Sequence, residues 1–223
     1  MTDFPFAVIG FDLDGTLVDS SADIAAAANH VLTLAGRPNL PVPELAGMIG
    51  NGSRLLLERA FRRTGGEVSR DEMRPYVDAF MDFYGANLCI HTKPYPGCVD
   101  ALDELAELGC TLAVVTNKFE AFASSLLDQL GLLGRFATVI GGDTLGPGRS
   151  KPEPDPIHEM MTRCGGGTTA FVGDTTTDVR ATTAAGIPCV AVSFGFNDLP
   201  PHELGAKAVI EHFNALIPTL RTI

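Results

Sequence analysis

The stretch Ala7-Val8-Ile9-Gly10-Phe11-Asp12-Leu13-Asp14-Gly15-Thr16-Leu17-Val18-Asp19 joins a short unbroken apolar run to a cluster of acids. An apolar run of this length without alternation reads as a strand buried on both faces, the pattern of a parallel sheet. In parallel α/β sheets, ligands collect beyond the carboxyl ends of the strands, where this run delivers two carboxylates together. Flanking Leu13, Asp12 and Asp14 can project toward one small volume, and an uncompensated pair there suffers a repulsion that a divalent cation resolves. Gly15 permits tight backbone geometry after the acids, and Thr16 can bond locally to hold the loop.

Working outward, similar apolar runs recur at 112–115, 138–140, 170–172 and 189–192. Helical patterns lie between most of them: 99–108 stopped by Gly109, 121–130 by Gly131, 156–164 by Gly165 and 179–185 by Gly186. This alternation predicts an α/β fold with a doubly wound parallel sheet, a Rossmann-like core. One interval breaks the rhythm, because the second strand does not begin until about Thr111, far beyond one helical crossover. An inserted helical unit accounts for it. Its stripes are Ile24, Ala28, Val31 and Leu32; Leu56, Leu57, Ala60 and Phe61; and Met73, Val77, Phe80, Tyr84 and Leu88, the last opened by a capping box from Ser69 to Glu72. Pro94-Tyr95-Pro96-Gly97 marks the return, with turn chemistry suited to a hinge. The expected division is a core of 1–18 and 93–223 around a helical cap of 19–92.

A chain of 223 residues with 45% hydrophobic content can bury a sizeable core. It has no apolar run near the ~20 residues that span a bilayer, and 1–6 lacks the pattern of a secretory signal, so a cytoplasmic protein is expected. A formal net charge of -11 disfavours nucleic acid and anionic membranes as partners. Five cysteines, an odd number without a CxxC pair, argue against a disulfide framework or a thiolate zinc site.

Three more clusters sit near predicted strand ends. Thr116-Asn117-Lys118 offers a hydroxyl, a carboxamide and backbone N–H groups to phosphate oxygens. Lys151-Pro152-Glu153-Pro154-Asp155-Pro156 presents one ammonium on a stiff segment, suited to neutralising a phosphoryl group. In Gly173-Asp174-Thr175-Thr176-Thr177-Asp178, Asp174 can complete an oxygen-rich magnesium site while Asp178 orients it from behind.

In their order and chemistry these four clusters resemble the motifs of the haloacid dehalogenase-like phosphatases, and the resemblance spans essentially the whole chain. The stretches Leu17-Val18-Asp19-Ser20, Ile49-Gly50-Asn51-Gly52-Ser53, Gly141-Gly142-Asp143-Thr144 and Ser193-Phe194-Gly195-Phe196-Asn197 are most similar to those of phosphoglycolate phosphatases. Thr175 stands where serine is more usual in the family. The resemblance implies that Asp12 is the nucleophile and forms an aspartyl-phosphate, and that Asp14 is the general acid and base. It implies that Thr116, Asn117 and Lys151 hold the phosphoryl oxygens, and that Mg2+ is bound by Asp12, the backbone carbonyl of Asp14 and Asp174, with Asp178 behind them. The insert corresponds to the family's mobile cap, whose Gly50, Asn51, Gly52 and Arg54 offer N–H groups, an amide and a cation suited to a small carboxylate. A small phosphorylated metabolite, 2-phosphoglycolate above all, is the implied substrate of a monomer or homodimer. The same fold also carries dehalogenases, mutases and pyrophosphatases. A dehalogenase does not need Asp14 or the magnesium acids, and a non-catalytic relative would be expected to have lost one of Asp12, Asp14, Lys151 or Asp174.

Overall fold

In the computed structural model, which describes residues 4–50 and 52–223, the apolar runs become the strands β1 (Val8–Phe11), β4 (Thr111–Val115), β5 (Thr138–Ile140), β6 (Thr169–Gly173) and β7 (Cys189–Val192). A sixth, β8 (Ala208–Ile210), extends the sheet, whose order is β5-β4-β1-β6-β7-β8 with every pairing parallel. Two further short strands, β2 (Val18–Asp19) and β3 (Lys93–Pro94), form a separate two-stranded sheet. The doubly wound α/β architecture expected from the alternation is present.

Crossover helices cover the sheet: α5 (Cys98–Glu107), α6 (Glu120–Gln129), α7 (Asp155–Arg163), α8 (Thr176–Ala184) and a short C-terminal α9 (Leu216–Leu220). Because strand side chains alternate between faces, Ala113, Val115, Phe171 and Ala191 share one face, where they pack with Ile157 and Met160 of α7 and Val179 and Ala181 of α8. Their neighbours Leu112, Val114, Ala170, Val172, Val190 and Val192 are equally buried, as a sheet covered on both sides requires.

The chain forms two compact units, one holding the chain up to Asp19 together with Pro94–Ile223, the other Ser20–Lys93. The second contains α1 (Ser21–Leu34), α2 (Val42–Ala46), α3 (Gly52–Gly65) and α4 (Arg70–Ala86). Its core is built from most of the expected stripes, with Ile24, Val31, Leu32, Leu56, Leu57, Phe61, Met73 and Phe80 all buried, while Val77 is only half-buried and lines a cleft. The Ser69 hydroxyl accepts the Glu72 N–H while the Glu72 carboxylate accepts the Ser69 N–H, so the expected capping box starts α4. Buried Asp23, in the first turn of α1, accepts the N–H groups of Ile90, His91 and Thr92 and the Thr92 hydroxyl. All five cysteines are free thiols, and no helix among the described residues is long and apolar enough to cross a membrane.

Candidate active site

The sheet reverses its direction of growth at β1, which is flanked by β4 and β6 in a register that aligns Phe11 with Val114 on one side and Val172 on the other. This is the switch point at which open α/β sheets bind ligands. Residues that follow these three strands therefore emerge together: Asp12 after β1, Thr116 after β4 and Asp174 after β6.

Carboxylate oxygens of Asp12, Asp174 and Asp178, all three buried, lie within 4.8 Å of one another. Asp174 Oδ1 accepts the Thr16 hydroxyl at 3.1 Å and Oδ2 accepts the Phe196 N–H at 2.7 Å. Two glycines make room for this carboxylate. A Cβ on Gly15, whose φ is +86°, would stand 2.2 Å from Asp174 Oδ2, and one on Gly195 would stand 2.3 Å from the Gly15 carbonyl oxygen. Asp178 is fully engaged: Oδ2 accepts the N–H groups of Asp174 and Thr175 and the Thr175 hydroxyl, while Oδ1 lies 2.6 Å from Lys151 Nζ. The bond from the Thr175 N–H ties Asp178, in the first turn of α8, back to the residue before the helix, so one acid both holds the helix start and grips the lysine.

Lys151, also buried, reaches between two acids, 2.6 Å from Asp178 Oδ1 and 2.9 Å from Asp12 Oδ1. Its backbone is held by the Asn117 carboxamide, which donates from Nδ2 to the Lys151 carbonyl at 2.9 Å. The contact with Asp12 is close but out of line for a hydrogen bond, which leaves Asp12 Oδ1 a buried oxygen with charge compensation and no hydrogen-bond donor among the described residues. Burial pushes the Asp12 carboxyl up to about 6 against the pull of Lys151, with Asp178 and Asp14 adding to the rise. Burial likewise raises Asp174 well above the usual carboxylate range, reinforced by Asp12 and Asp178. For Lys151, burial alone would lower the ammonium, but Asp12 and Asp178 more than offset it and hold it above its ordinary value. The cluster thus carries more negative charge than its lysine balances, and Asp12 offers an oxygen without a donor. That donor set suits a hard divalent cation bound through Asp12 and Asp174, because Asp178 has no oxygen to spare.

Among the remaining residues singled out from sequence, Asp14 pairs with Lys118, whose Nζ lies 2.8 and 2.7 Å from its two oxygens. The Thr116 hydroxyl accepts the Lys118 N–H at 3.2 Å, which leaves its own proton to donate. Asn117 spends its amide on Lys151, and its Oδ1 is buried without a partner among the described residues. In the helical unit, Gly50 has a φ of +117° and Gly52 opens α3, while Asn51 lies outside the described residues. Arg54 pairs with Glu58 at 2.9 Å, donates to the Arg70 carbonyl, and lines a cleft of about 310 Å³ with Arg70, Asp71, Arg74, Val77 and Asp78. Sequence reasoning assigned no role to Lys118. It also quoted Asn197 without recognising that its Nδ2 donates to the carbonyls of Asp174, at 2.6 Å, and Val192, at 2.9 Å.

A parallel sheet that gathers a buried aspartate, a lysine and further acids at its switch point has the chemistry a hydrolase needs to act on an anionic group. The chain belongs to the haloacid dehalogenase-like hydrolase family, whose sequence profile matches residues 9–192. It is 37% identical over 223 residues to a phosphoglycolate phosphatase of Agrobacterium fabrum, covering 99% of this chain and 95% of that protein. It is also 37% identical over 209 residues to a phosphoglycolate phosphatase of Caulobacter vibrioides, covering 93% and 87%. Among solved structures, a "predicted phosphoglycolate phosphatase" from Haemophilus somnus superposes with a TM-score of 0.89 at 31% identity, covering 97% of this chain and 99% of that one.

Proposed function

We propose that this enzyme hydrolyses 2-phosphoglycolate to glycolate and phosphate, with Mg2+ held by Asp12, Asp174 and the backbone carbonyl of Asp14. The observation that carries the chemistry is Asp12 itself: a buried carboxylate whose Oδ1 has no hydrogen-bond donor, set against Lys151 and Asp174 at the switch point. An Asp12 oxygen attacks phosphorus, the bond from phosphorus to the glycolate oxygen breaks, and the Asp14 carboxyl gives its proton to that departing oxygen. Asp14, now a carboxylate, takes a proton from water as the water oxygen attacks the aspartyl-phosphate, which releases phosphate and restores Asp12. Lys151, the Thr116 hydroxyl and nearby backbone N–H groups hold the transferring oxygens, the positioning and electrostatic work that dominates phosphoryl transfer. When bound, the cation neutralises phosphoryl charge as a Lewis acid.

The substrate assignment rests on the relatives, which carry that name at 37% identity over nearly the whole chain. The helical unit is proposed to select the leaving group, with Gly50, Asn51, Gly52 and Arg54 as the residues that meet its carboxylate. A kcat/KM series over phosphate monoesters in the presence of Mg2+ tests this reading: 2-phosphoglycolate should rank first, and Arg54→Ala should raise KM for it more than for a neutral ester. A sugar phosphate or pyrophosphate ranking well above it overturns the substrate and leaves the two-step chemistry standing.

A further inference from the structure

We infer that Lys118 is a positioning residue for the proton-transfer step, fixing the Asp14 carboxylate in the orientation from which its proton is passed. The inference rests on the phosphatase reading above. Lys118 Nζ lies 2.8 and 2.7 Å from the two Asp14 oxygens, and the two side chains are only 6% and 15% exposed. A two-point contact of this kind specifies the carboxylate plane, whereas an aspartate without one samples several staggered rotamers.

The lysine can do this because its own base is fixed. A lysine stem is ordinarily mobile, but the Lys118 N–H donates to Thr116 Oγ1 at 3.2 Å and the Lys118 carbonyl accepts the Gly142 N–H at 2.9 Å. The Gly142 loop is tied in turn to the start of α6, where the Glu120 N–H donates to Asp143 Oδ1 at 2.8 Å. The strand end that carries the proposed phosphate ligand Thr116 therefore also carries the residue that aims Asp14, so the two are placed relative to each other by one short segment. Lys151 has a different task, since its partners are Asp12 and Asp178. The proton that moves is carried by Asp14, which takes it up from solvent before the first step, gives it to the departing oxygen and regains one from the attacking water, and must come within hydrogen-bond reach of each.

A misplacement of about 1 Å in a reacting group costs on the order of 10²-fold. Lys118→Met in the full-length enzyme with Mg2+ should therefore lower kcat on 2-phosphoglycolate by roughly that factor while KM stays nearly constant, and Lys118→Arg should restore part of the loss. The decisive arm is a double-mutant cycle. In an Asp14→Asn background, Lys118→Met should change kcat by less than about twofold, because nothing remains to be positioned. A full additive loss in that background, or a rise in KM confined to carboxylate-bearing esters, overturns the inference, the latter by making Lys118 a substrate contact. Crystal structures of Lys118→Met and the wild type give a readout independent of turnover. Asp14 should occupy new or multiple rotamers in the variant, and an unchanged Asp14 overturns the inference. Absence of any phosphatase activity in the wild type would instead overturn the parent reading.

Discussion

Lys151→Met removes the ammonium that compensates two buried acids. Lys151 Nζ stands 2.6 Å from Asp178 Oδ1 and 2.9 Å from Asp12 Oδ1, and the Asp178 side chain has no exposure through which water could replace the lost charge. Breaking a buried ion pair by deleting one partner costs about 3–5 kcal/mol. Asp178 keeps its three donors from Asp174 and Thr175, which places the expected cost at the lower end, about 3 kcal/mol. At 1.36 kcal/mol per decade, amides of β1 and β6 in metal-free protein should exchange with solvent roughly 10²-fold faster. Exchange in these strands reports on the sheet unit directly, without assuming that the whole chain unfolds in one step. The deficit should widen with pH. With its partner gone, Asp12, already pushed up to about 6, is raised further, and an acid raised in the folded state contributes stability at low pH that is lost as pH climbs through its folded value. Asp178→Asn in the same chain should recover most of the loss, and Mg2+ at 100 times its dissociation constant should add about 2.7 kcal/mol. An exchange change below tenfold, or no recovery on adding Asp178→Asn, would refute the claim that Lys151 compensates buried charge.

Asp12→Asn should abolish turnover while β1 and β6 exchange no faster than in wild type, since it removes a destabilised carboxylate rather than a stabilising one; near-native activity in a variant shown by mass spectrometry not to have deamidated would exclude Asp12 as nucleophile. Chelation should silence the enzyme, Mg2+ should restore it, and Ca2+ should substitute badly because its larger, looser coordination spoils in-line geometry. As pH falls below about 6, protons should compete for Asp12, and for Asp174, which is raised as well, so the Mg2+ concentration for half-activation should rise by at least about tenfold per unit; a flat titration between pH 5 and 7 would count against Asp12 as a ligand. Gly195→Ala places a Cβ 2.3 Å from the Gly15 carbonyl oxygen and 2.4 Å from Asp174 Cβ, so it should cost about 1–3 kcal/mol by overpacking and depress kcat, as thermal denaturation and steady-state rates would show.

Strands whose burial is complete were legible because an unbroken apolar run has few other uses, and four of the five expected runs carry acids, hydroxyls or amides at or just beyond their carboxyl ends. What stayed hidden lacked such a local signature. The edge strand β8 is three residues long and leaves Val209 exposed, too short for its period to be read. The two-residue strands β2 and β3 exist only as a pairing between positions more than seventy residues apart. Asp23 sits in an apolar stripe and looks like a polar interruption until the backbone of 90–92 folds over it. In the site, residue type disclosed chemistry but not which partner would claim each group. Asp12 and Asp14 looked alike from their spacing, yet Asp12 faces Asp174 and Lys151 while Asp14 faces Lys118. Asn117 offered an amide that could have met phosphate, and the fold spends it on the carbonyl of Lys151.

Charge arranges these parts into one device. The unit Ser20–Lys93 contains eight basic and eight acidic residues, so the formal charge of -11 belongs to the remainder, the unit that carries the proposed phosphate site. At long range that unit repels a dianionic ester. Locally the balance differs, because Asp12, Asp14, Asp174 and Asp178 face Lys118 and Lys151, and with all four acids ionised the two positive charges of a divalent cation would offset the excess. The lysine side chains are 6% and 2% exposed, so salt screens them little. Both are already partnered before substrate arrives, and for Lys151 this has a chemical consequence. A phosphoryl oxygen that draws the ammonium toward itself must compete with Asp12, whose oxygen it holds by charge without a well-aimed hydrogen bond. Asp178, which accepts a direct hydrogen bond from the lysine, keeps it in place during that exchange. On the proposed reading, the substrate would take charge compensation from the carboxylate assigned as nucleophile and leave the other partner of the lysine undisturbed.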